Sequence, residues 1–234
     1  MKQNLQFSFA YNPLFRVIAT WVWFFVGAAL TVLIILAIQG AQLAEASEVL
    51  SEKKAYLTVY VEIVSVGLLP LLFTLVCRDV PAQYGLARQG LAKSLLLSSL
   101  FVVVMFGFGY LMRGRLMTES RPALHLGFPW NLWYALLGII AWGPLEVFFF
   151  VWLVVNTDAI FKSRMRAAPW GLILTVLVFA LIHIITTNTS NAMYTGAIFL
   201  VLGLIHKYTQ NSVGPMIAWT LINGQVWYIA RLLF

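Results

Sequence analysis

Seven stretches of this chain stay apolar for roughly the thickness of a bilayer. They run Val17–Ile38, Tyr56–Val76, Leu95–Met112, Leu132–Val155, Trp170–Thr186, Ala192–Ile205 and Val213–Ile229. A helix crossing the hydrocarbon layer takes about 20 apolar residues, within a range near 17–25. Backbone amides at that depth need internal partners, and an α-helix supplies them within one segment. Composition points the same way. The 234 residues are 62% hydrophobic and 10% charged, against about 45–50% and 25% in soluble domains. A soluble globule of this size has too much surface to hide so much apolar matter. A disordered chain is excluded as well, and with Cys77 the only cysteine so is a disulfide scaffold. The fold class that remains is all-α: a polytopic membrane helical bundle of about seven transmembrane helices.

Local chemistry marks the segment ends. Pro129, Pro169 and Pro215 stand in or near first turns, where a missing N–H is harmless. Pro70, inside the second segment, predicts a kink. The sixth segment is short and is expected to pack inside the bundle. The polar stretch Ala41–Ala55 is rich in helix formers and is expected to extend a helix beyond the membrane. No internal repeat is visible. The chain divides into an N-terminal three-helix region with loops, 1–128, and a four-helix core, 129–234. The first apolar run exceeds the ~7–15 residues of a signal h-region, so no cleavable leader is expected.

The net charge of +7 reads as loop charge facing lipid headgroups. The basic residues are too scattered for a groove tracking nucleic acid. With the N-terminus in the cytoplasm, Lys2, Arg16, Arg78, Arg88, Lys93, Lys162, Arg164, Arg166 and Lys207 fall inside. Lys53, Lys54, Arg113, Arg115, Arg121 and Arg231 fall outside. This excess predicts a cytoplasmic N-terminus and an external C-terminus; a prokaryotic plasma membrane is the expected location.

Ionisable side chains at membrane depth are functional hypotheses by default. Glu62, Glu146 and His183 are such groups, and Asn223 joins them as an amide. At ~1.5 Å per residue, Glu146 and Asn223 lie at comparable depth and His183 a turn deeper. Singly, each also reads as packing: a hydrogen-bonded carboxyl, a core histidine, an interhelical amide. The shared depth favours one polar site made by Glu146, His183 and Asn223. Glu62 has no sequence partner and keeps its structural reading.

The residues around these positions resemble a known family. Gly143 to Val151, reading GPLEVFFFV, resembles the EExxxR motif of the CPBP family, the CAAX proteases and bacteriocin-processing enzymes. Phe179 to His183 matches its FxxxH motif. Gly203 to Asn223 is similar to the final segment, which leads into HxxxN. The resemblance covers Leu132 to the C-terminus. It implies an intramembrane peptidase in which glutamate and histidine activate water, with the last motif near the developing oxyanion. A positioned base is worth ~10²–10⁴ in rate, and an oxyanion donor about 10²–10³. This chain departs at three family positions: Val147 replaces the second glutamate, Val151 the arginine and Trp219 the histidine.

These departures favour a silent member of the fold, acting as a subunit or accessory factor of a membrane complex. A buried carboxyl without its acid and arginine neighbours is poorly suited to act as base. The abundant Trp and Phe suit contacts with the bilayer and a membrane-protein partner. A diminished peptidase using Glu146, His183 and Asn223 is the alternative. Haem or pigment ligation through His183 ranks third. No cofactor is expected. A metal is unexpected too, because catalytic zinc takes three protein ligands and His125 and His206 fall in loops on opposite sides of the membrane.

Overall fold

The structure is a computed structural model that describes residues 9–50, 55–113, 128–161, 169–186 and 189–223. It is helical, with no strand among the described residues. Five helices are long and apolar enough to cross a membrane: α1 (Pro13–Gln39), α2 (Thr58–Val76), α3 (Leu91–Met112), α4 (Trp130–Phe161) and α6 (Thr189–Thr209). Two shorter apolar helices complete the bundle, α5 (Trp170–Thr186) and α7 (Val213–Ile222). These helices coincide with the seven apolar stretches, and the all-α membrane bundle stands.

Several boundaries differ from the sequence reading. Asn12 caps α1, its side chain accepting from the amides of Leu14 and Phe15, and Pro13 occupies the first turn. Gly40 ends α1 in the left-handed region, with φ of 65°, and the amides of Gly40 and Ala41 turn back to Ala37 and Leu36. That stop overrides the helix formers that follow. The described part of Ala41–Ala55 is made of short helical pieces, not an extension of α1. The sixth segment is longer than expected, running Thr189–Thr209. It buries one face and exposes Met193, Leu204 and Tyr208 on the other. The seventh ends at Ile222 with Asn223 as its cap, and 224–229 lie outside the described residues.

Two proline-linked π-turns organise the centre. In α2 the turn Ile63–Leu68 ends two residues before Pro70; the wider helix accommodates the ring and the missing N–H. In α4 the turn Ala141–Leu145 contains Pro144, and Trp142 leaves helical geometry at φ −92°, ψ 19°. The two turns touch: a Cβ on Gly67 would stand 2.7 Å from Leu145 Cδ2. Glycine at this position lets the Leu145 side chain approach closely.

The second half of α4 is the axis of the fold. Val147 to Val154 are all buried, which is the signature of a helix apolar on every side. α1, α5 and the α2 π-turn pack around it. Its rings interlock with theirs, as in Trp21–Phe149 at 5.6 Å and Phe73–Trp152 at 5.9 Å. The core is continuous from Ala10 and Val66 to Trp219 and Ile222.

Candidate functional site

Glu146 begins the regular helix after the α4 π-turn. Its amide donates to the carbonyls of Ala141 and Gly143, passing over that of Trp142. The bypassed Trp142 carbonyl accepts instead from Asn223 Nδ2 at 3.1 Å. Asn223 caps the C-terminus of α7, its own amide bonded to Trp219 O at 2.8 Å. The turn that presents Glu146 is therefore held from the end of another helix. Such π-turns recur at functional sites because they free backbone groups and re-aim side chains.

One turn before Asn223, Trp219 meets the same residue. Its indole Nε1 donates to Glu146 Oε2 at 2.7 Å, in a buried contact between α7 and α4. The short distance fits a hydrogen bond to a carboxyl group. Close helix approach makes it reachable: a Cβ on Gly143 would lie 2.2 Å from Thr220 Oγ1, so only glycine lets α7 sit this near the π-turn.

His183 enters from α5. Its Nδ1 is 2.8 Å from Phe179 O, one turn earlier in the same helix. A carbonyl only accepts, so Nδ1 carries the hydrogen and Nε2 is the acceptor nitrogen of the neutral ring. The imidazole also lies 5.1 Å from the Phe179 ring. Phe179 lies 4.6 Å from Phe199, and Phe199 lies 4.8 Å from Trp219. His183 and Trp219 thus flank a pair of phenylalanines. The rings connect α5, α6 and α7 to Glu146.

Val147 and Val151 are 0% and 1% exposed, inside the apolar core. Phe148, Phe149 and Phe150 beside them are buried too. Glu62 is half-buried in α2, just before the first π-turn. No group of three or more His, Cys, Asp or Glu suited to a metal occurs among the described residues. His125 lies outside those residues.

A second polar cluster escaped the sequence reading. Arg16 and Lys207, counted there as loop cations, are helical and buried. Arg16 makes a bidentate pair with Asp79, at 2.9 and 3.1 Å, and its Nε donates to Ala10 O at 2.6 Å. Tyr84 OH donates to Asp79 Oδ2 at 2.6 Å. Lys207 pairs with Asp158, whose other oxygen accepts from the Gly171 amide at 2.9 Å. His206 is not in a loop: it belongs to the last turns of α6, is 5% exposed, and bonds Ser212 at 2.9 Å. Ser212 also donates to Tyr84 O. Asn211 Nδ2 donates to Ala87 O and Gln89 O at 2.6 and 3.1 Å.

The Ser212 and Asn211 bonds fasten the segment between α2 and α3 onto the turn between α6 and α7, and the Arg16–Asp79 pair ties that segment to α1. The Arg16–Asp79 spacing of 63 residues carries no local pattern. The available signal was weaker: two cations and two acids bordering apolar runs, where an unpaired charge would be disfavoured.

No curated protein and no solved structure matches this chain. A family model described as type II CAAX prenyl endopeptidase, Rce1-like, matches residues 128–225. That stretch holds the Glu146 π-turn, the Phe179–His183 pair and the Trp219–Asn223 turn. The match lies over the same stretch as the resemblance to the CPBP family of CAAX proteases.

Proposed function

We propose that this membrane protein is a non-catalytic relative of the CAAX proteases, serving as an accessory subunit of a membrane complex. The supporting observation is the Trp219–Glu146 hydrogen bond of 2.7 Å. A glutamate base must hold a water within hydrogen-bond reach of its oxygen and take a proton from it. Here an indole N–H, which can only donate, holds one of the two carboxyl oxygens. The positions matching the second acid and the arginine are apolar and sealed in the core. The π-turn, Asn223 and Trp219 then act together as structure: they lock α7 onto α4.

Peptide cleavage by the purified protein tests the silent half of this reading. Wild type and Glu146→Gln should show the same background turnover. Turnover abolished by Glu146→Gln would refute it and establish the peptidase alternative. Trp219→His alone should stay inactive, because Val147 and Val151 remain apolar. Purification in mild detergent tests the accessory half. A stoichiometric membrane partner is expected, and a chain that always runs alone counts against it.

A further inference from the structure

Away from Glu146, a cavity of about 350 Å³ opens between the N-terminal ends of α2 and α4. Five of its lining residues are aromatic: Tyr56, Tyr60, Trp130, Trp133 and Tyr134. The other three are aliphatic, and none is charged. One helix, α3, separates α2 from α4, so both spans begin at the same membrane face. The cavity therefore lies where lipid headgroups meet hydrocarbon, the depth at which Trp and Tyr collect.

Interfacial aromatics commonly face lipid one by one. These are tied into a wall. Trp133 Nε1 bonds Tyr60 OH at 3.1 Å, joining α4 to α2 across 73 residues. Tyr134 is buried and packs edge-on against Trp142 at 6.3 Å. With Val59 and Ala141 it forms a separate small core, of which Val59 and Tyr134 also line the cavity.

We propose that this cavity is a lipid-headgroup site that binds the quaternary ammonium of a choline phospholipid. Aromatic faces carry negative quadrupole potential. They attract a cation that has little hydration to lose, and a trimethylammonium group fits that description better than a primary amine. A cavity uncharged among its described lining residues selects this cation by its ring faces. An acyl chain has no use for so many rings and phenols. The volume accommodates the ammonium with part of its phosphate, and the acyl chains run along the exposed flanks of α2 and α4.

The test uses the whole protein in neutral maltoside micelles, titrated with dihexanoyl-phosphatidylcholine below its own micelle concentration. Bound lipid is read by native mass spectrometry. Phosphatidylethanolamine and phosphatidylglycerol with the same chains serve as comparators. Saturable choline-lipid binding is expected, with the ethanolamine and glycerol lipids weaker by roughly tenfold or more. Trp133→Leu should weaken choline-lipid binding by roughly tenfold, and Trp133→Phe should recover part of the loss. Tyr60→Leu provides a second ring deletion should Trp133→Leu fail to fold. Equal binding of the three lipids would mean that chains alone occupy the cavity. Unchanged affinity in a folded ring-deletion variant would mean that the rings do not select. Either result overturns the proposal.

Discussion

The centre of the bundle and its looped end at Arg16 and Ser212 use polar groups in different ways. Around Glu146 they are few and set among rings: one indole on a carboxyl, one amide on a bypassed carbonyl. At the looped end, Arg16, Asp79, Tyr84, Asn211 and Ser212 form a dense mesh in which single residues make two or three bonds. The first arrangement fixes the register of two helices. The second ties distant segments together. The polar contacts around Glu146 join two helices, while the buried charges pair at the looped end.

Four substitutions sharpen that contrast. The largest effect is expected from Asp79→Ala, which strands the buried Arg16 guanidinium and removes the Tyr84 acceptor. Breaking one half of a buried pair costs about 3–5 kcal/mol, visible as a lowered thermal midpoint in detergent. The double change Arg16→Met with Asp79→Leu should be milder than Asp79→Ala. Equal losses would mean that the pair itself, and not an uncompensated charge, dominates.

Gly143→Ala comes next. The new Cβ would press on Thr220 Oγ1, and overpacking of this kind costs about 1–3 kcal/mol. Adding Thr220→Ala should restore part of that stability. No rescue would place the strain elsewhere than between α4 and α7.

Trp219→Phe removes the indole donor and keeps a ring against Phe199. A loss of about 1–3 kcal/mol is expected, smaller than for Asp79→Ala. A greater loss would make the centre the principal clamp of the fold.

The smallest effect concerns pH. Burial, and then the Asp79 hydrogen bond, raise the Tyr84 phenol above its usual value of 10.0. The fold therefore favours the neutral form. Tyr84 contributes stability that is intact below pH 10 and lost as the pH climbs above it. Tyr84→Phe should make the alkaline decline shallower and lower the midpoint at pH 7 modestly, through the lost hydrogen bond to Asp79.

Much of this was legible in the chain, for reasons that differ by region. Apolar run length announced the spans, because hydrocarbon accepts helical backbone and few alternatives. Asn12, Pro13 and Gly40 carry the local signals that start and stop α1, and reading by apolar run, from Val17, passed over all three. Glu146, His183 and Asn223 stood out because polar groups at depth are rare. Trp219 was read as a loss, and the structure gives it a donor's role toward Glu146. No spacing rule could show that, since indole and carboxyl lie 73 residues apart. Arg16 and Lys207 were misplaced for a related reason. A cation at the edge of an apolar run reads as a loop charge unless its distant acid is known.

Sequence alone determined that this chain lives in a bilayer as helices, and where its rare polar side chains interrupt the apolar runs. Both follow from local composition and from the solvent, through free energies that sum residue by residue. The tertiary structure decided which oxygen meets which N–H: Trp219 with Glu146, Asn223 with Trp142, Asp79 with Arg16. Those choices depend on how closely helices approach at Gly67 and Gly143 and on how two π-turns rotate the residues after them. Such quantities are set by packing between segments far apart in the chain, where no local preference can act.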